Sequence, residues 1–193
     1  AMKLRELLRD SDAQRYARLQ VVESKARQLL EYSQAGSHLF FTPHGISHVS
    51  VVEENYDWML SDPDHEDFKP AEIFCLLCAT LLHDAMMIPA RPGDELGARR
   101  EHAQRASSFL EKNRDSLTLN IHEADAIAEV IRGHAVDDFK SLTSEIALGT
   151  SLVDVRKLAA CLSVSDICHA DITRAPDIVF RHLELDEDSA YYW

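Results

Sequence analysis

The chain is 193 residues long, which fits one domain, and its 46% hydrophobic residues are enough for a sizeable core. Six glycines and six prolines are too few for a sandwich of many short, turn-linked strands, so helices are favoured. A formal net charge of −13 repels phosphate backbones and disfavours nucleic acid as a partner, and no apolar run approaches the ~20 residues of a membrane span, which disfavours a membrane partner.

Apolar residues recur at helical spacing between positions 11 and about 32 (Tyr16, Leu19, Val22, Ala26, Leu29, Leu30), predicting an amphipathic helix that Gly36 ends. Thr42-Pro43-His44-Gly45 reads as the next helix start, with Thr42 as N-cap, and that helix runs to about Leu60. Ser61-Asp62-Pro63-Asp64 reads as a loop. Pro70 then opens a helix with Glu72 in its first turn; through Leu82 it is apolar nearly all round, the signature of a central buried helix. Cys75 and Cys78 form a C-x-x-C inside that run, yet no second such pair follows, so they read as small buried residues. The four cysteines suggest no disulfide framework, and a reducing cytoplasm is expected.

From 88 to 97 two prolines and two glycines predict a long loop. A helix from about Arg99 to Asn113 follows, then one from about His122 to Arg132, stopping near Gly133. Residues 135–150 look polar and irregular. Ser151-x-x-Asp154 resembles a capping box and predicts a helix launched there, reaching about Ala170. The acidic stretch Leu185-Asp186-Glu187-Asp188 reads as a fraying tail. The expected fold is all-α, a compact bundle of about six to eight helices. It forms one domain over 1–193: an N-terminal helical part to about 40, a core over 44–174 and a tail over 175–193.

Ten histidines stand in this chain, and their placement matters more than their number. His48 lies on the second helix, His83-Asp84 at the end of the most buried one, His102 on the fourth, His134 just after Gly133, and Asp166 on the last long helix. An ionised aspartate among apolar neighbours needs a strong partner. A divalent cation is one, and imidazoles with carboxylates suit Zn, Mn, Fe, Co or Ni. Neighbouring residues on a continuing helix diverge by about 100°, but at a helix end both His83 and Asp84 can reach one ion.

Five segments carry a family resemblance. Thr42-Pro43-His44-Gly45-Ile46-Ser47-His48 matches a T-x-H-G-x-x-H pattern, and Leu81-Leu82-His83-Asp84-Ala85-Met86 resembles LLHDIGM, with Ala85 and Met86 in place of its Ile and Gly. Arg99-x-x-His102-x-x-Arg105, Ile131-Arg132-Gly133-His134 and the run from Leu158 to Asp166 follow in order. Together, over roughly 44–174, they resemble the HD superfamily of metal-dependent phosphohydrolases.

The resemblance implies an HD-type bundle. It implies that His48, His83, Asp84 and Asp166 hold a first ion. Asp84, the implied catalytic residue, then bridges to a second ion held by His102 and His134. One or two divalent ions (Mn, Fe, Ni, Co, Zn or Mg) would activate water for hydrolysis of a nucleotide or related small phosphoester. Arg99 and Arg105, one turn either side of His102, are the implied phosphate-binding forks, with Arg91 and Arg174 as weaker candidates.

Two departures bear on this. Ala135 stands where many two-metal members have a second histidine, and Met86-Met87-Ile88 lacks their lysine. The second ion is therefore expected to be weak, absent or differently ligated, with Asp137 or Asp138 as substitute ligands for it, and a mononuclear site is a separate alternative. Members of this branch often occur as modules of longer multidomain proteins, so a regulatory nucleotide- or metal-binding module is a second reading, and a homodimer a further arrangement. A nuclease acting on single strands is a third, disfavoured by the charge. His44, four residues before His48, reads either as facing the same cleft or as structural at the helix start, the latter favoured; His169, one turn after Asp166, reads either as support for a ligand or, in preference, as a core or surface residue. His38, His65, His122 and His182 carry no functional assignment.

Overall fold

The helical periodicity of the sequence is realised in the computed structural model, which describes residues 3–37, 44–60, 67–88, 94–136 and 138–169. Seven helices stand among them: α1 Leu4–Ser11, α2 Ala13–Ser37, α3 Ile46–Met59, α4 Pro70–Leu82, α5 Glu95–Asn113, α6 Ile121–Gly133 and α7 Val155–Ile167. The result is the mostly-α bundle the sequence predicts. None of the helices among the described residues is long and apolar enough to cross a membrane.

α4 is the axis of the bundle. Every residue from Ala71 to Leu82 is buried, and α1, α2, α3, α6 and α7 all pack on it, while α5 packs on α6. Its near-continuous apolar sequence needs such all-round cover. Pro70 occupies the first helical position, where a missing N–H costs nothing. Buried Glu72 accepts hydrogen bonds from the Lys69 backbone N–H (3.0 Å), the Asp154 backbone N–H (3.2 Å) and Lys157 Nζ (3.0 Å). One carboxylate thus ties the start of α4 to the start of α7. Cys75 and Cys78 are fully buried, and burial pushes both thiols well above their ordinary range.

Several expectations are corrected. α2 continues through Gly36 to Ser37; the cost of glycine in a helix, about 1 kcal/mol, is too small to end it alone. α3 begins at Ile46 with Gly45 as N-cap. Thr42 and Pro43, the expected start, lie outside the described residues. α5 begins at Glu95, so Gly97 is helical rather than in a loop. A Cβ at Gly97 would collide with the Asp94 carboxylate, so glycine here makes room for that side chain.

The largest correction lies between α6 and α7. A turn of 3-10 helix at Phe139–Ser141 precedes an antiparallel hairpin, β1 Glu145–Leu148 with β2 Ser151–Asp154. Gly149, at φ +64°, supplies the left-handed residue of the tight turn. Ser151 is therefore in a strand, and the cap of α7 is Asp154, whose Oδ1 accepts from the Lys157 backbone N–H at 2.9 Å. Val153 and Leu148 face the core. Strands of four residues are too short to reveal a period of two. α7 ends at Ile167 with Cys168 as its cap, short of the expected Ala170. The 61–64 loop, Arg91, Asp137, Arg174 and the acidic tail lie outside the described residues.

Candidate metal centre

Five helices converge on one cluster of titratable side chains. His48 sits in the first turn of α3 and Asp166 in the last turn of α7. His102 is midway along α5, and His134 directly follows α6. His83 and Asp84 follow α4, where the helix gives way to tight turns: the Ala85 N–H reaches Leu82 O at 3.2 Å and the Met87 N–H reaches Asp84 O at 3.0 Å. At this helix end both side chains point into the same space, with His83 Nε2 3.1 Å from Asp84 Oδ2.

The donor atoms form two groups, each with all members within 4.8 Å of one another: His48, His83, Asp84 and Asp166, and then Asp84, His102 and His134. In the first, His48 Nε2 lies 3.2 Å from His83 Nε2, 3.5 Å from Asp84 Oδ2 and 3.1 Å from Asp166 Oδ1. In the second, His102 Nε2 lies 3.0 Å from His134 Nε2 and 3.6 Å from Asp84 Oδ1. Asp84 belongs to both groups, presenting one oxygen to each.

The far nitrogens show how the rings are aimed. His83 Nδ1–H donates to Thr80 O (2.8 Å), His102 Nδ1–H to Arg99 O (2.6 Å), and His134 Nδ1–H to Ile131 O. Each acceptor is the carbonyl three residues earlier on the same helix. That bond keeps a proton on Nδ1 and makes Nε2 the nitrogen aimed into the cluster, the one that would bind an ion once free of its own proton. For His83 and His134 the carbonyls belong to the last turn of a helix, where they have no intrahelical partner.

The electrostatics favour positive charge here. Burial opposes charging His83, but the carboxylates of Asp84 and Asp166 override it and lift the imidazole to about 9. Burial likewise opposes ionising Asp84, yet His83, His44 and His102 hold it well below the usual carboxylate range. Asp166 is lowered too: burial works against it, and the His48 hydrogen bond with nearby His83 prevails. His134 is pushed down to about 4 by burial, then by His83 and His102, so it stays neutral with its lone pair intact. Two imidazoles and two carboxylates, with both rings 0% exposed, form a donor set suited to a divalent first-row ion. The His/Asp group could hold such an ion.

The other expected residues are placed less uniformly. Arg99 is exposed on α5. Arg105 is engaged: its guanidinium donates to Asp94 Oδ2 (3.2 Å), Glu101 Oε2 (3.0 Å) and Ile88 O (3.1 Å). Asp138 accepts from the Lys140 backbone N–H (2.9 Å) and caps the 3-10 turn, so it is not in either donor group. Ala135 is exposed. His44 comes within 3.9 Å of Asp84 Oδ2, with its ring edge-on to His48 at 5.6 Å, in keeping with the one of its two readings that has it facing the same cleft. His169 is buried and stacks on His48, centroids 5.0 Å apart and planes at 11°, with Nδ1 to Nδ1 at 2.7 Å. The only sequence signal for that pairing is its position one turn beyond Asp166.

A family model described as HD-CE matches residues 30–193. No curated protein matches the chain, and no solved structure does.

Proposed function

Because the chain belongs to the HD-CE family, we propose that it is a metal-dependent phosphohydrolase acting on a nucleotide or related small phosphoester. What supports this reading is the position of Asp84 between two donor groups, one carboxylate oxygen toward each. In this reading His48, His83, Asp84 and Asp166 hold one ion, and Asp84, His102 and His134 the second. Held by these residues, divalent ions would supply a water of lowered pKa and stabilisation of negative charge at phosphorus.

The chain's own residues do the rest. Burial opposes ionising Asp84, but His83, His44 and His102 hold its carboxyl below the usual carboxylate range, and it would be the shared ligand. His134 stays neutral and keeps a lone pair for its ion. Exposed Arg99 is the arginine offered to substrate phosphate, because Arg105 is already held by Asp94 and Glu101 and would have to exchange them. The −13 net charge favours a small substrate over a polymer.

The test is to load the protein with Mn, Co or Ni and assay a panel of nucleotides together with bis-p-nitrophenyl phosphate. Metal-dependent turnover that disappears in Asp84→Ala is expected. No turnover in the wild type, or equal turnover in the variant, overturns the reading. Tight nucleotide binding without hydrolysis under every metal points instead to a regulatory module, and cleavage of single-stranded DNA points to a nuclease.

A further inference from the structure

His48 differs from the other histidines of the cluster in how its ring is held. His83, His102 and His134 each use the carbonyl three residues earlier on their own helix. His48 sits in the first turn of α3, where the backbone groups without intrahelical partners are N–H donors rather than carbonyls. The carbonyl three residues before it, Gly45 O, accepts the Val49 backbone N–H at 3.2 Å. The contact made by His48 Nδ1 is with His169 Nδ1 at 2.7 Å, at the end of another helix.

Two imidazole nitrogens at that distance share one proton, so one ring donates and the other accepts. For His48 to offer its Nε2 lone pair to an ion, its own proton must sit on Nδ1. Resting on the metal-binding reading above, we propose that His169 is a positioning residue for the first donor group. It accepts a hydrogen bond from His48 Nδ1–H and thereby selects the His48 tautomer that can ligate. His169 must then carry its proton on Nε2. The near-parallel stack fixes the His48 ring plane at the same time. Since Asp166 and His169 both belong to the end of α7, that segment would contribute one donor and the support for another.

Further polar bonds keep α7 in register with α3. Ser165 Oγ–H donates to Val52 O at 2.6 Å, and Asn55 Nδ2–H donates to Ser165 O at 2.9 Å. Both are made through Ser165, one turn before His169, on the same side of the His48–His169 contact, and tie the two helices together next to it.

The experiment titrates full-length protein with Co(II), following visible absorption for the donor set and competition for affinity. His169→Phe keeps a stacked ring but has no acceptor, and His169→Asn restores an acceptor oxygen without the ring. Loss of a supporting partner of this kind typically weakens metal binding by about 10–100-fold. A loss of that size is expected for the tighter ion in His169→Phe, with most of it recovered in His169→Asn and no change for the weaker ion. Nitrogen-15 shifts of His48 in the loaded wild type should report a protonated Nδ1. Wild-type affinity in His169→Phe, equal loss in both variants, or a His48 proton on Nε2 in the loaded protein overturns the proposal. A protein that binds Co(II) with the expected pattern but hydrolyses nothing keeps this inference and loses the phosphohydrolase reading; one that binds no metal loses both.

Discussion

Asp84 is where the whole site is most sensitive, because a single carboxylate serves both donor groups. Asp84→Asn keeps the volume but removes the charge that draws cations in. Loss of both ions is expected, with affinity falling beyond the about 100-fold that a supporting residue can cost. His102→Ala removes a donor from the second group alone, so one ion should remain. Elemental analysis of the two purified variants decides this, and retention of two ions by Asp84→Asn refutes the shared-ligand arrangement. That His48, His83, Asp84, His102, His134 and Asp166 would meet was an expectation carried by the resemblance of their segments to the HD pattern, and the fold brings their donor atoms into two groups that share Asp84. His169 was legible as a residue one turn beyond Asp166 that could support a ligand, but its pairing with His48 was not, because that depends on how the end of α7 meets the start of α3, and spacing along one helix does not encode it. Arg105 was legible as an arginine one turn from His102, but not as one already engaged by Asp94 and Glu101.

Among the elements, the end of α6 sets the second donor group. Gly133 reads in sequence as a helix stop, but its tighter role is close approach: an added Cβ would stand 2.5 Å from Ala159 Cβ and 2.7 Å from Leu142 Cδ1. Gly133→Ala must push α6 away from α7 and carry the adjacent His134 with it. A destabilisation of about 1–3 kcal/mol is expected, the usual cost of overpacking, with weaker binding of the second ion and little change in the first. Denaturant unfolding and metal titration of one preparation check both halves. The other end of α6 is held to α2 by Arg18, which donates to Glu123 Oε1 at 2.9 Å and also to Oε2, and lies 5.1 Å over the Phe74 ring. Burial would raise the Glu123 carboxyl, but the Arg18 hydrogen bond and charge hold it below its ordinary 4.5. A lowered folded pKa contributes stability that is present above about 4.5 and fades as pH falls through the folded value. Glu123→Gln should therefore cost about 1.5–3 kcal/mol at neutral pH, and the gap to wild type should close below about pH 4.5. A gap that stays constant through acid denies the ion pair its role. The helices themselves were legible from period and punctuation. The hairpin was not, because Ile146, Leu148 and Val153 are too few to set a pattern against a polar background.

At the scale of the molecule, the chain was legible as one helical bundle because an all-apolar α4 forces other helices to surround it. What the sequence did not contain is the geometry in which donors from α3, α5 and α7 meet those that follow α4 and α6. That geometry links metal binding to folding. The unfolded chain scatters these donors across positions 48 to 166, so an ion binds the folded state far better than the unfolded one. An ion at 100 times its dissociation constant should then add about 2.7 kcal/mol to stability. For a domain of 150–250 residues, 1 kcal/mol moves the thermal midpoint by about 2–4 °C, so metal should raise it by roughly 5–11 °C. Adding a chelator should return the midpoint to its metal-free value. Asp84→Asn should show no metal-dependent shift, whereas His102→Ala should keep most of it, because the more buried first group supplies the larger part. Differential scanning calorimetry on the three proteins, with and without Mn(II), measures all of this. A wild-type midpoint that does not move with saturating metal would separate the cluster from folding and remove the basis for treating it as a high-affinity site.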